Sequence, residues 1–105
     1  MDKVAMLNEI LAQNPADAFA RYGLAMEYAG RGEVEASLAE FARLLAQHPD
    51  YTAGYFMAAQ TLAKAGRNDE AKARLTEGIA CAQRTSNLHA RREMQAMLDE
   101  LDLAG

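Results

Sequence analysis

Side chains able to do chemistry are few in this sequence, and they stand apart from one another. Its two histidines are His48, beside Pro49 in a stretch that reads as a turn, and His89, near the start of the last helical pattern. Nucleophilic and acid–base catalysis need nucleophile, base and orienting group to converge, and metal binding needs ligands at short fixed spacings. No such set is expected around either histidine. Cys81 has Arg84 as its neighbouring charge and falls off the apolar stripe of its segment, which reads as a spectator thiol rather than an activated one. The expectation is therefore a chain without catalytic residues, metal ligands or cofactor.

The charged residues point the same way. Glu33, Glu35, Glu40 and Arg43 read as the solvent face of one helix, and Arg91, Arg92, Glu93, Asp99, Glu100 and Asp102 as the mixed polar face of the last. The formal net charge is −4, so no basic footprint exists for nucleic acid or for an anionic membrane. The N-terminal segment has no basic flank leading into an unbroken apolar run, so neither a secretory signal nor a membrane span is expected there. A single cysteine makes no internal disulfide and fits a reducing, cytoplasmic setting.

The elements that must position these residues are helices. Val4, Leu7, Ile10 and Leu11 recur at helical spacing before Asn14-Pro15, where the residue ahead of proline is driven out of the α region. A second helix is predicted from about Ala16 to Tyr28, with Asp17 in its first turn, and Gly30 and Gly32 close it. Val34, Leu38, Phe41 and Leu45 form the stripe of a third, stopped at His48-Pro49. A fourth, from about Thr52 to Ala65, carries Tyr55, Ala58, Ala59 and Leu62. Asn68 is expected to cap a fifth, whose stripe is Ala71, Leu75, Gly78, Ile79 and Ala82, and Thr85-Ser86-Asn87 breaks it. The sixth shows Met94, Met97, Leu98 and Leu101 on one face. No stretch alternates long enough for a half-buried strand, so the chain is expected to be all-α with short turns and antiparallel neighbours.

Pro15 and Pro49 stand 34 residues apart, the period of a helix-turn-helix repeat. The same offset places Leu7 on Phe41, Leu11 on Leu45, Ala25 on Ala59, Tyr28 on Leu62, Gly32 on Gly66 and Phe41 on Leu75. With Leu24-Ala25, Tyr28, Gly32, Ser37, Phe41 and Pro49 in one unit, and Tyr55, Ala59, Leu62, Gly66, Ala71 and Leu75 in the next, the sequence resembles the tetratricopeptide repeat family. Arg21 stands where that signature has tryptophan, Ala58 where it has leucine, and Gln83 where the second unit would close on proline. Beyond Asn87 the offset fails, because Arg92 lands on an apolar position. The resemblance implies antiparallel helix-turn-helix repeats stacked as a short right-handed α-solenoid. Within one domain of residues 1–105 it gives a half repeat at 2–14, repeats at 16–49 and 50–83, and a capping helix at 87–103.

Helix two carries a second apolar stripe, Phe19, Tyr22 and Met26, apart from the inward Leu24, Ala25 and Tyr28, and helix four echoes it with Ala53, Phe56, Met57 and Gln60. A helix apolar on two faces buries both or exposes one. In the resembled family, first helices line a concave groove that holds a partner's peptide or helix. By that resemblance Phe19, Tyr22, Met26, Phe56, Met57, Gln60 and Lys64 would line it, and the chain would be a non-catalytic protein-binding module. Tyr22, Met26, Ala53 and Met57 occupy the places where some members clamp a carboxylate with polar groups, so that mode is not expected. Two other readings stay open: the last helix covers the stripe, or the stripe joins two copies in a homodimer.

Overall fold

The computed structural model of the protein describes residues 2–104, and among them there is no strand. Six helices follow in order: α1 (Lys3–Gln13), α2 (Ala18–Gly30), α3 (Val34–Gln47), α4 (Thr52–Lys64), α5 (Asn68–Arg84) and α6 (Leu88–Ala104). By contact the chain forms two compact units, Met1–Pro49 and Asp50–Gly105.

In the first unit, Asp2 and Asp17 are N-caps, each accepting from the backbone N–H three residues on. Asp17, expected in the first turn, thus stands one step outside the helix as its cap. Leu11, Ala20 and Leu24 form a buried cluster, with Val4, Leu7 and Tyr28 packed against it. Pairings of residues 7 with 23 and 2 with 31 run α1 against α2. The pairings of 25 with 37 and 21 with 40 run α3 back along α2. Ser37, fully buried, donates its hydroxyl to the Ala25 carbonyl at 2.8 Å. Two short residues at this crossing let the backbones close in, while Phe41 and Leu44 fill the space on either side without any exposure.

In the second unit the corresponding pairings are 55 with 78, 52 with 81 and 50 with 84 between α4 and α5. Pairings of 78 with 94 and 72 with 102 run α6 back along α5. Gly78 is the meeting point of all three helices. A Cβ there would stand 2.4 Å from the Met94 sulfur and 2.7 Å from the Tyr55 Cβ, so only glycine fits. Cys81 is fully buried, its Sγ 3.4 Å from the Thr52 hydroxyl. This corrects its expected place off the core stripe, because α4 covers a second side of α5.

Three turns share one hydrogen-bond pattern. Glu33 N–H donates to Tyr28 O and Gly32 N–H to Ala29 O, and the same pair of bonds recurs at Arg67/Gly66 and at Asn87/Ser86. This is the Schellman closure, which needs a left-handed residue at its centre. Gly32 (φ 75°) and Gly66 (φ 79°) supply it freely, whereas Ser86 adopts φ 56° with a side chain in place. Asn68, expected as a cap, is instead the first residue of α5.

Candidate functional site

On α2, the second stripe begins with Phe19, the most exposed aromatic of the unit at 80%. Tyr22 and Met26, one and two turns on, are half-buried. Tyr22 rests edge-on against Phe41, ring centres 6.3 Å apart and planes at 70°, a favoured aromatic geometry. The core aromatic of α3 therefore holds Tyr22 in place from beneath.

On α4, Phe56 and Met57 are half-buried and Gln60 and Lys64 exposed. α6 stands beside this face. Phe56 lines a cavity of about 170 Å³ together with Thr52, Ala53, Asn87, Ala90, Glu93 and Met94. A second, shallower depression continues from it between Phe56, Gln60, Glu93, Ala96, Met97 and Glu100. Of the apolar residues of α6, Met94 is fully buried at the Gly78 crossing, and Met97, Leu98 and Leu101 are half-buried. The last helix thus borders Phe56 and leaves it partly open.

Arg21, in the tryptophan position of the repeat signature, forms a cross-helix ion pair with Glu40 at 2.6 Å and donates to the Pro15 carbonyl at 3.0 Å. Glu40 also receives Arg43 at 2.7 Å. Glu40 is 8% exposed, which corrects its assignment to the solvent face. Arg21 reaches across from α2, nineteen residues away in sequence, and periodicity within α3 carries no sign of that partner. Arg21 Nε is buried without a hydrogen-bond partner.

Each histidine has a polar contact, His48 in the first unit and His89 in the second. His48 Nε2 lies 2.8 Å from the Ala16 carbonyl, tying together the two proline-marked turns of the first unit. His89 Nε2 lies 3.1 Å from Glu93 one turn on, an exposed pair missed in reading the sequence. Among the described residues no group of three or more His, Cys, Asp and Glu is placed to hold a metal ion. Among them, too, no helix is long and apolar enough to cross a membrane. The perturbed phenol is that of Tyr55: burial, then nearby Cys81 and Glu77, push its pKa up. Tyr55 packs at the Gly78 crossing, and its shift marks a core position.

Residues 28–94 match the tetratricopeptide repeat family model. The chain is 30% identical over 98 residues, 93% of each chain, to the TPR repeat-containing protein PA0015 of Pseudomonas aeruginosa. Among solved structures, protein BPP2914 from Bordetella parapertussis is similar with a TM-score of 0.84 and 24% identity, over 99% of this chain and 90% of that one. A tetratricopeptide repeat domain protein from Salinibacter ruber is similar with a TM-score of 0.78 and 27% identity, over 84% and 89%. Members of this family are generally non-catalytic and bind other proteins. With the 34-residue recurrence, the paired helices and the glycine-closed turns already seen in each unit, these matches identify the chain as a member of the tetratricopeptide repeat family.

Proposed function

We propose that the protein is a non-catalytic, cytoplasmic interaction module that holds a peptide or helix of a partner protein on the second apolar faces of its α2 and α4 helices. Phe19, Tyr22 and Met26 would make the contact on the first unit, and Phe56, Met57, Gln60 and Lys64 on the second. Exposure of Phe19 carries the reading: a phenylalanine 80% open to water, aligned with a tyrosine braced from below, is the makings of an interface anchor. Three methionines in or beside these faces, Met26, Met57 and Met97, favour an adaptable contact surface. The single buried thiol of Cys81 fits the cytoplasm. Tyr22, Met26, Ala53 and Met57 offer no cluster of cationic or amide groups for a terminal carboxylate, so the contact is with side chains.

Affinity purification from the native host, with Phe19→Ser and Phe56→Ala as paired controls, tests this reading. A protein retained by the parent and lost from both variants, with helical circular dichroism unchanged, is the expected result. Retention by both variants would remove the proposal. A dimer at tens of micromolar by sedimentation, dissolved by either substitution, would replace it with self-association.

A further inference from the structure

We propose that the cleft between α4 and α6 receives one apolar side chain of a partner segment that carries lysine or arginine on either side of that anchor. The inference rests on the protein-binding function above and names the chemistry of what is bound at the second unit. The cleft floor is apolar: Phe56 and Ala53 from α4 face Ala90 and Met94 from α6, and Ala96 and Met97 continue it. A dry apolar cavity of about 150 Å³ accepts a benzene-sized group, and the 170 Å³ here suits one long aliphatic or aromatic side chain.

The rim carries charge of one sign. Glu93 borders both depressions and Glu100 the outer one, at i and i+7 on the same side of α6. Facing them, α4 presents Thr52, Ala53, Phe56 and Gln60, all uncharged, and no Lys or Arg is among the lining residues. Lys64 lies one turn beyond Gln60 and outside the lining; Arg91 and Arg92 are also outside it. His89, one turn before Glu93 and 3.1 Å from it, is exposed and also lies outside the lining. Two carboxylates around an apolar hole repel acidic segments and attract basic ones, and the net charge of −4 adds long-range attraction of the same sign.

The test is selection of a random library of short displayed peptides on the immobilised full chain at low and at physiological salt. Enriched peptides should share a Leu, Met or Phe flanked by Lys or Arg, and their affinity should fall with salt. Glu93→Lys with Glu100→Lys should weaken them about tenfold and turn selection toward Asp and Glu, and Phe56→Ala should bring binding to background with helicity kept. Failure to enrich any peptide, enrichment without charge bias, or a bias that survives charge reversal would overturn the proposal. A dimer dissolved by the same reversal would also overturn it, because a second copy would then fill the cleft. A host protein lost from Phe19→Ser yet kept by the reversed-charge chain would remove this inference and leave the interaction function standing. Basic peptides selected without any host protein that depends on Phe19 and Phe56 would do the opposite.

Discussion

The two units of the chain close their helix pairs with different chemistry. In the first, α2 and α3 are joined by polar contacts: the buried Ser37 hydroxyl on the Ala25 carbonyl and the Arg21–Glu40 pair, with Arg43 and the Pro15 carbonyl completing it. In the second, α4, α5 and α6 meet at a bare glycine wedged between a methionine and a tyrosine, and the ion pairs Arg84–Asp50 and Lys72–Asp102 stand away from that crossing, at the ends of the helices. The repeat frame thus fixes where helices cross and leaves open what fills the crossing. A polar filling fixes register through hydrogen-bond geometry, whereas an apolar one fixes it through shape.

The largest effect should come from splitting the polar filling. Glu40→Ala leaves the Arg21 guanidinium buried beside no carboxylate, which should cost about 2–4 kcal/mol in urea unfolding. Replacing both partners, Arg21→Trp with Glu40→Leu, should restore or exceed parental stability, because it removes two desolvated charges and reinstates the repeat's usual aromatic. A double variant no better than the single one would show that the ion pair is needed for the packing itself.

Next in size is overfilling the apolar crossing. Gly78→Val should destabilise by about 1–3 kcal/mol, offset in part by its helix propensity. Loss of amide protection should appear in α6 first, since Met94 is the nearest obstacle. Unchanged exchange in α6 would contradict the three-helix contact.

A smaller change tests the turns. Ser86→Gly should stabilise by about 0.5–1 kcal/mol and Gly66→Ala should destabilise by about 1–2, both by thermal unfolding, because the same left-handed closure is eased in one and strained in the other.

The smallest is a pH effect confined to the second unit. Burial raises the Tyr55 pKa above its ordinary 10.0, so the folded state holds that proton more tightly than the unfolded chain. The stability it contributes is complete below roughly pH 10 and is lost as pH rises through the raised value. Tyr55→Phe should flatten the alkaline limb of a stability–pH curve, and a limb that keeps its slope would assign the titration elsewhere.

Much of the fold was legible because punctuation residues carry it. Pro15, Pro49, Gly32 and Gly66 act through their own backbones, so they mark helix ends with no knowledge of neighbours. The stripes of α3 and α5 were legible for a similar reason, since one-sided burial writes itself as a period. What escaped needed a partner helix. Glu40 is buried only because Arg21 reaches it, Cys81 only because α4 covers it, and Ser86 turns left-handed where glycine was the readable signal. The candidate surface was half legible: the stripe on α2 stands in the sequence, but the part α6 plays beside Phe56 depends on where the last helix packs.

The most direct test of the interaction account is an amide NMR titration of the labelled full chain with the protein recovered on it from the native host. Shifts should concentrate at Phe19, Tyr22, Met26, Phe56, Met57 and Gln60, with the neighbouring turns of α6 responding as well. Shifts centred on the exposed Met6 and Ile10 of α1, with those residues silent, would contradict it.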